Sequence, residues 1–237
     1  MNRVKIEFEK RVLEIEQYFE YIAILDNGKC SINGKTIDGA SFEKEINDDL
    51  VKILRANGFI LLYNLVEATI TKSIEALFAT IYEREVTFKN LSDNLKKLWI
   101  IQKSLPLNKG IDAIGSNKII EIITKVVNDI IENEITKLEI DCVKISGNVD
   151  AKKIRDIADK IGFERPSQQQ GEDLVVIKDK RNKLAHGEFS FCEIGKDYSI
   201  RDMCKFKNST INHLEEYIYK IEEYIQLNSY LSSNVIQ

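Results

Sequence analysis

The sequence predicts an all-α protein, a helical bundle with small β-hairpin or loop insertions. Proline occurs only at Pro106 and Pro166 in 237 residues, so few positions break a helix. Apolar residues recur at three- and four-residue spacing through most of the chain. The turn-forming clusters between these stretches are short, with no internal repeat and no low-complexity segment, so one helical domain over 1–237 is expected. A hydrophobic share of 43% and a charged share of 30% suit a chain that folds around a core rather than a disordered one.

Each element has a local reason. Val4, Phe8, Val12, Ile15, Phe19 and Ile22 form one stripe of a helix over 3–25, closed by Asp26-Asn27-Gly28. Between 29 and 37, Asn33-Gly34 separates two short semi-apolar runs and predicts a tight hairpin. Ser41, with Glu43 and Lys44 after it, reads as the N-cap of a long helical region to about residue 85, with Gly58 as its candidate kink. A helix over 87–105 holds the single tryptophan, Trp99, and 106–110 is a turn. A striped helix follows over 116–138, then an extended stretch over 140–145 and a turn at Ser146-Gly147-Asn148. Asp150 predicts the cap of a helix that Gly162 closes, and 165–170 is linker-like. A helix over 172–186 leads to a small hairpin around Gly195-Lys196-Asp197. The last helix, 202–227, places Ile211, Leu214, Ile218, Ile221 and Ile225 on one side.

Composition excludes several classes. A formal net charge of −4 argues against non-specific coating of nucleic acid, which depends on neutralising many phosphates, but leaves room for a local basic site. Cys30, Cys142, Cys192 and Cys204 are widely spaced, without a Cys-x-x-Cys pair or a secretory segment ahead of them. That pattern suits reduced thiols and a cytoplasmic location. The N-terminus turns amphipathic at once, and no run approaches the roughly 18 to 20 apolar residues that span a bilayer, so no membrane partner is expected. No Walker-type phosphate loop is present. A zinc site from Cys192, Cys204 and His213 lacks close ligand pairs, so neither metal nor cofactor is expected.

The densest chemistry lies in Arg181-Asn182-Lys183-Leu184-Ala185-His186, followed by Gly187. An imidazole moves protons near neutral pH, and a guanidinium clamps a phosphate in a planar fork. These groups fit metal-independent RNA cleavage, in which the ribose 2′-hydroxyl attacks the adjacent phosphorus and an acid protonates the departing 5′-oxygen. Arg181 would hold the phosphate, Asn182 would orient a neighbour, His186 would move the proton, and Lys178, Lys180 and Lys183 would attract RNA. Five residues of helix are about 7.5 Å of rise and about 140° of rotation, so the two side chains share a face only if the helix ends at His186, where Gly187 is suited to stop it. A twofold dimer would instead bring two arginines and two histidines together.

Plainer readings stand beside this one. Eight arginines and two histidines in 237 positions produce an Arg-x4-His spacing by chance in about 7% of such chains, so spacing alone is weak. His213 reads as an ordinary surface or partly packed residue. Tyr63 and Asn64, inside the apolar run 59–66, read as core that borders a cleft at most. Tyr217, Tyr219, Tyr224 and Tyr230 read as packing or dimerisation residues more than as base-stacking ones.

The order of segments resembles the HEPN superfamily, whose signature is an arginine followed four to six residues later by a histidine, often with a polar residue after the arginine. Arg181-Asn182-x-x-x-His186 matches it. The stretches 55–69, 146–150 and 180–190 resemble the MAE_28990/MAE_18760-like HEPN family more specifically, and the likeness covers nearly the whole chain. The resemblance implies a HEPN-like bundle, commonly dimeric, with a composite ribonuclease site of Arg181, His186 and the auxiliary Asn182 in the dimer cleft. It implies a toxin of a toxin–antitoxin or abortive-infection (antiphage) system that cuts RNA such as tRNA or mRNA, with a cognate antitoxin protein as a partner. Inactive members also exist, so the alternative is a non-catalytic RNA-binding or protein-interaction module.

Overall fold

A computed structural model describes residues 1–26, 28, 30–109, 115–145, 147–167 and 171–233. Eight α-helices and one hairpin occur among them, the mostly helical architecture that the sequence predicts. They are α1 (Asn2–Asp26), β1 (Ser31–Lys35), β2 (Ser41–Glu45), α2 (Asp48–Glu83), α3 (Asp93–Ser104), α4 (Ser116–Ile131), α5 (Ala151–Ile161), α6 (Asp173–Ala185), α7 (Phe191–Gly195) and α8 (Ile200–Gln226). Short 3-10 helices occur at Phe88–Asn90, Leu105–Lys109 and Ile140–Cys142. The turns and linker expected at 26–28, 106–110, 146–148 and 165–170 lie partly outside the described residues. The chain divides into two compact units, one of 5–68 and 167–214, the other of 1–4, 69–166 and 215–237.

In the first unit, the N-terminal half of α2 is the packing centre. Ala56, Phe59, Leu62, Tyr63, Leu65 and Val66 are almost completely buried. Asn47 caps the helix, its Oδ1 accepting from the Leu50 N–H at 2.9 Å, and Asp48 and Asp49 follow where the helix dipole favours carboxylates. Ser41 therefore caps nothing. It opens β2, which pairs antiparallel with β1. Asn33 and Gly34 lie inside β1 rather than at the apex, and the turn falls over 36–40, where the Thr36 N–H donates to the Ala40 carbonyl at 2.8 Å and Gly39 takes φ +85°. The reason is cross-strand packing. Gly34 faces Phe42, whose ring approaches to 2.8 Å of where a Cβ would stand, so the glycine's bare face is covered by the aromatic.

Gly58 likewise serves close approach within a continuous α2. A Cβ there would meet Met203 at 2.7 Å and Phe19 at 3.2 Å, which brings α8 and α1 against the helix. Tyr18 adds a hydrogen bond from its hydroxyl to the Leu54 carbonyl at 2.7 Å, and burial pushes that phenol up to about 12. The hairpin expected around Gly195 is instead the short helix α7. Ser190 and Glu193 form a reciprocal capping box, with the Glu193 carboxylate accepting from the Ser190 N–H at 2.7 Å. Gly195 is buried so tightly that a Cβ would stand 1.8 Å from the Lys52 carbonyl oxygen.

In the second unit, tertiary pairing cuts two predicted helices short. The region 87–105 forms α3 only from Asp93, because Leu91 bridges to Leu231 and the Ser92 N–H donates to the Tyr230 carbonyl at 2.8 Å. The helix expected to reach 138 stops at Ile131, since Ile135 bridges to Thr87 and Asn133 turns the chain at φ +55°. Ile140–Cys142 is a 3-10 turn rather than an extended segment. Asp150 does cap α5, accepting from the Lys153 N–H at 2.9 Å, and Gly162 closes it at φ +98°. Phe163 packs edge-on against Tyr217 and Tyr224, and the Tyr224 hydroxyl donates to the Ile161 carbonyl at 3.1 Å.

By length and composition α2 passes as a helix able to cross a bilayer, which the stricter count of uninterrupted apolar residues misses. Half of its most apolar stretch is buried inside the protein, as in the core helix of a folded domain. Because backbone rather than a flexible side chain blocks the Gly195 position, Gly195→Ala is expected to destabilise the protein by about 2–3 kcal/mol, read as a lowered urea midpoint at unchanged slope.

Candidate functional site

The motif helix α6 buries Leu174, Ile177 and Leu184. Position 181 falls on the same stripe, seven residues past Leu174 and three before Leu184, where the pattern asks for an apolar side chain. Arginine stands there instead, half-buried. Its guanidinium carbon lies 3.5 Å from the centroid of the Tyr63 ring on α2, and Tyr63 is 1% exposed. Stacking engages the face of the guanidinium, whereas its N–H donors lie in the plane and point sideways. A buried ring thus fixes where the Arg181 guanidinium sits.

The other end of α6 is closed as the glycine predicts. Gly187 takes φ +69°, its N–H donates to the Leu184 carbonyl at 3.2 Å, and the Glu188 N–H reaches back to the Lys183 carbonyl at 3.0 Å. This is a Schellman closure. His186 precedes it at φ −89°, ψ −2°, with its N–H still bonded to the Asn182 carbonyl at 2.9 Å. The backbone is helical through His186, so about 140° of rotation separates it from Arg181. The helix end does not make the two side chains converge: Arg181 lies over Tyr63, and His186 is exposed at the helix terminus.

The three lysines and Asn182 have distinct surroundings. Asn182 and Lys178 are half-buried and four residues apart; Asn182 is also four residues before His186 and so lies nearer the His186 face of α6 than the Arg181 face. Lys183 Nζ lies 3.0 Å from Asp179, and that hydrogen bond, aided by the opposite charge, holds the ammonium above its ordinary range. Lys180 Nζ lies 3.8 Å from the same carboxylate and 5.7 Å from the Tyr198 ring. The acidic Asp179 therefore takes up part of the positive charge of this helix.

Two aromatic residues of the site escape a sequence reading. Tyr198 sits in the loop before α8, its ring edge-on to Phe59 at 5.0 Å and Phe206 at 5.7 Å. Arg55 fixes that loop by donating to the Tyr198 carbonyl at 3.2 Å while its other terminal nitrogen pairs with the Asp26 carboxylate. No local signal announces this, since the partners are 143 residues apart. Phe189, just past the Schellman turn, has Lys183 Nζ 5.7 Å from its ring. The Ser190-x-x-Glu193 spacing is the available signal that this segment is a helix start rather than a hairpin.

The remaining candidates are placed elsewhere. His213, expected as an ordinary surface or partly packed residue, is completely buried. Tyr217, Tyr224 and Tyr230 are buried in the second unit, in keeping with packing, while Tyr219 is 57% exposed. Asn64 is exposed beside Arg11, Glu14 and Tyr18. All four cysteines are free thiols. Among the described residues no group of three or more His, Cys, Asp or Glu side chains is placed to hold a metal ion.

A positive φ makes position 187 costly for any residue with a Cβ. Gly187→Ala is expected to lose about 1–2 kcal/mol in urea unfolding, and Gly187→Asn less, because asparagine visits this conformation more readily.

The model of the MAE_28990-like HEPN family (HEPN_MAE_28990) matches residues 3–230 of the chain. A search among curated proteins gave no match, and a search among solved structures gave none either. The family match runs from α1 through α8 and includes the Arg181–His186 motif. The chain belongs to the MAE_28990-like HEPN family.

Proposed function

We propose that this protein is a metal-independent endoribonuclease, acting in the cytoplasm as the toxin of a toxin–antitoxin or abortive-infection (antiphage) system. The observation that carries the reading is Arg181, a charged side chain on the buried stripe of α6, stacked on a buried tyrosine. A charge at a core position lowers stability relative to an apolar residue unless another role retains it. Clamping a phosphodiester is the role that its fork geometry suits.

In this reading the working unit is a homodimer. One chain sends Arg181 and His186 in directions about 140° apart, so facing copies would complete each other's site. One His186 removes the proton of the ribose 2′-hydroxyl as its oxygen bonds to phosphorus. The second His186, protonated, gives its proton to the 5′-oxygen as the P–O5′ bond breaks. The products are a 2′,3′-cyclic phosphate and a 5′-hydroxyl, with no redox change. Arg181 holds the non-bridging oxygens while negative charge builds on them. Asn182 would orient a neighbouring group and Lys178, Lys180 and Lys183 would draw in RNA. A cognate antitoxin would hold this activity in check.

A second reading is a non-catalytic protein-interaction module. It is favoured by α4, whose Ile120, Ile123, Val127 and Ile131 are each 45–67% exposed along one stripe.

The two readings part on RNA incubated with the purified protein in EDTA. Cleavage leaving 2′,3′-cyclic ends, with Arg181→Ala and His186→Ala each at least about 100-fold slower, supports the enzyme. Equal background from all three proteins sinks it. Mixed dimers of the two variants hold a single His186, which cannot serve as base and acid at once, so they are expected to stay near the background of either parent. Tyr63→Phe keeps the stacking ring and is expected to retain cleavage, whereas Tyr63→Leu lowers kcat by about five- to thirty-fold, the equivalent of about 1–2 kcal/mol of cation–π contact.

A further inference from the structure

We infer that Phe189 is a stacking platform for one unpaired base, which makes single-stranded RNA the ligand of this site; the inference rests on the ribonuclease reading above. The ring is 46% exposed and follows His186 by three residues, whereas Tyr217, Tyr224 and Tyr230 are buried. Its backbone is pinned from both sides. Ahead of it the Glu188 N–H donates to the Lys183 carbonyl at 3.0 Å, and after it Ser190 and Glu193 form the capping box of α7. Folding has already ordered this short connection, so stacking a base does not carry the cost of ordering a loop.

Charge decides between base and phosphate as the group recognised here. Over 178–193, Lys178, Lys180, Arg181 and Lys183 stand against Asp179, Glu188 and Glu193, and the Lys183 ammonium is tied to Asp179. Glu188 is the immediate neighbour of Phe189. A surface so nearly neutral, in a chain of net charge −4, gains little affinity from phosphate neutralisation beyond the Arg181 clamp and the local lysines. A-form duplex RNA offers mainly phosphates and 2′-hydroxyls, with its bases stacked inside. A single strand offers base faces, which an aromatic ring binds without charge. The Lys183 ammonium lies over that ring, 5.7 Å from its centroid.

The test uses full-length protein and a 2′-O-methyl oligoribonucleotide carrying 2-aminopurine, which has no 2′-hydroxyl nucleophile and stays intact. Wild type is expected to bind the strand and quench its fluorescence. Phe189→Ala should raise Kd by about tenfold and abolish quenching, while Phe189→Tyr and Phe189→Trp keep both. Annealing the strand to its complement should weaken binding. Quenching by Phe189→Ala equal to wild type, equal affinity for duplex and single strand, or no quenching by wild type overturns the inference. Circular dichroism of each variant reports whether it folds. Cleavage of unmodified RNA, followed in parallel, judges the ribonuclease reading separately. Cleavage with Phe189→Ala unaffected in both KM and quenching removes only the platform, and quenching without cleavage removes only the enzyme.

Discussion

Close approach to the N-terminal half of α2 is the constraint on which the site-bearing unit depends. Gly58 admits Met203 and Phe19 against the helix, and Gly195 admits α7 onto the Lys52 carbonyl. Neither contact survives the addition of one methyl group without something shifting. With these surfaces in contact, Tyr63 is sealed from solvent, and the guanidinium of Arg181 finds a flat, dry partner. Glycines on α2 and α7 admit these close neighbours, and Tyr63 of α2 in turn underlies Arg181 of α6.

That arrangement explains how a charged side chain occupies a core stripe. A lone guanidinium in an apolar interior would be costly, but Arg181 is only half-buried and meets the electron-rich face of a ring. His186 meets the opposite environment, exposed just ahead of the Schellman turn at Gly187. One helix therefore carries two chemical groups in two settings, a held cation and an exposed imidazole. In the proposed ribonuclease, joining the two groups would fall to a facing second copy.

Electrostatics at the motif is more restrained than a list of lysines suggests. Asp179 lies within 4 Å of both Lys180 and Lys183, so much of the apparent positive charge is balanced along the helix itself. Surface pairs of this kind add little to stability, yet they lower the net positive field of the helix. Three rings accompany the cations of the motif: Tyr63 underlies Arg181, Tyr198 faces Lys180, and Phe189 sits near Lys183.

Local signals account for the helical class, the stripe of α1, the Asp150 and Gly162 boundaries of α5 and the Gly187 stop of α6. Each rests on side-chain periodicity or on a cap made within a few residues, so neighbouring sequence is enough to specify it. The motif arginine and histidine were legible for the same reason. The turn of the hairpin, the late start of α3, the early end of α4 and the helical nature of α7 depart from what local pattern predicts. At the hairpin a cross-strand Phe42 outweighs a strong turn dipeptide, and at α3 a pairing with residues 230–232 outweighs helix propensity. At α7 the capping box was present in the sequence but was overridden by a glycine that reads as a turn. What the sequence by itself determined is where helices form and which residues can do chemistry. Only the tertiary structure decided that Arg181 lies on Tyr63 and that Arg55 holds the Tyr198 loop. Those contacts join residues far apart in the chain, and no local pattern encodes them.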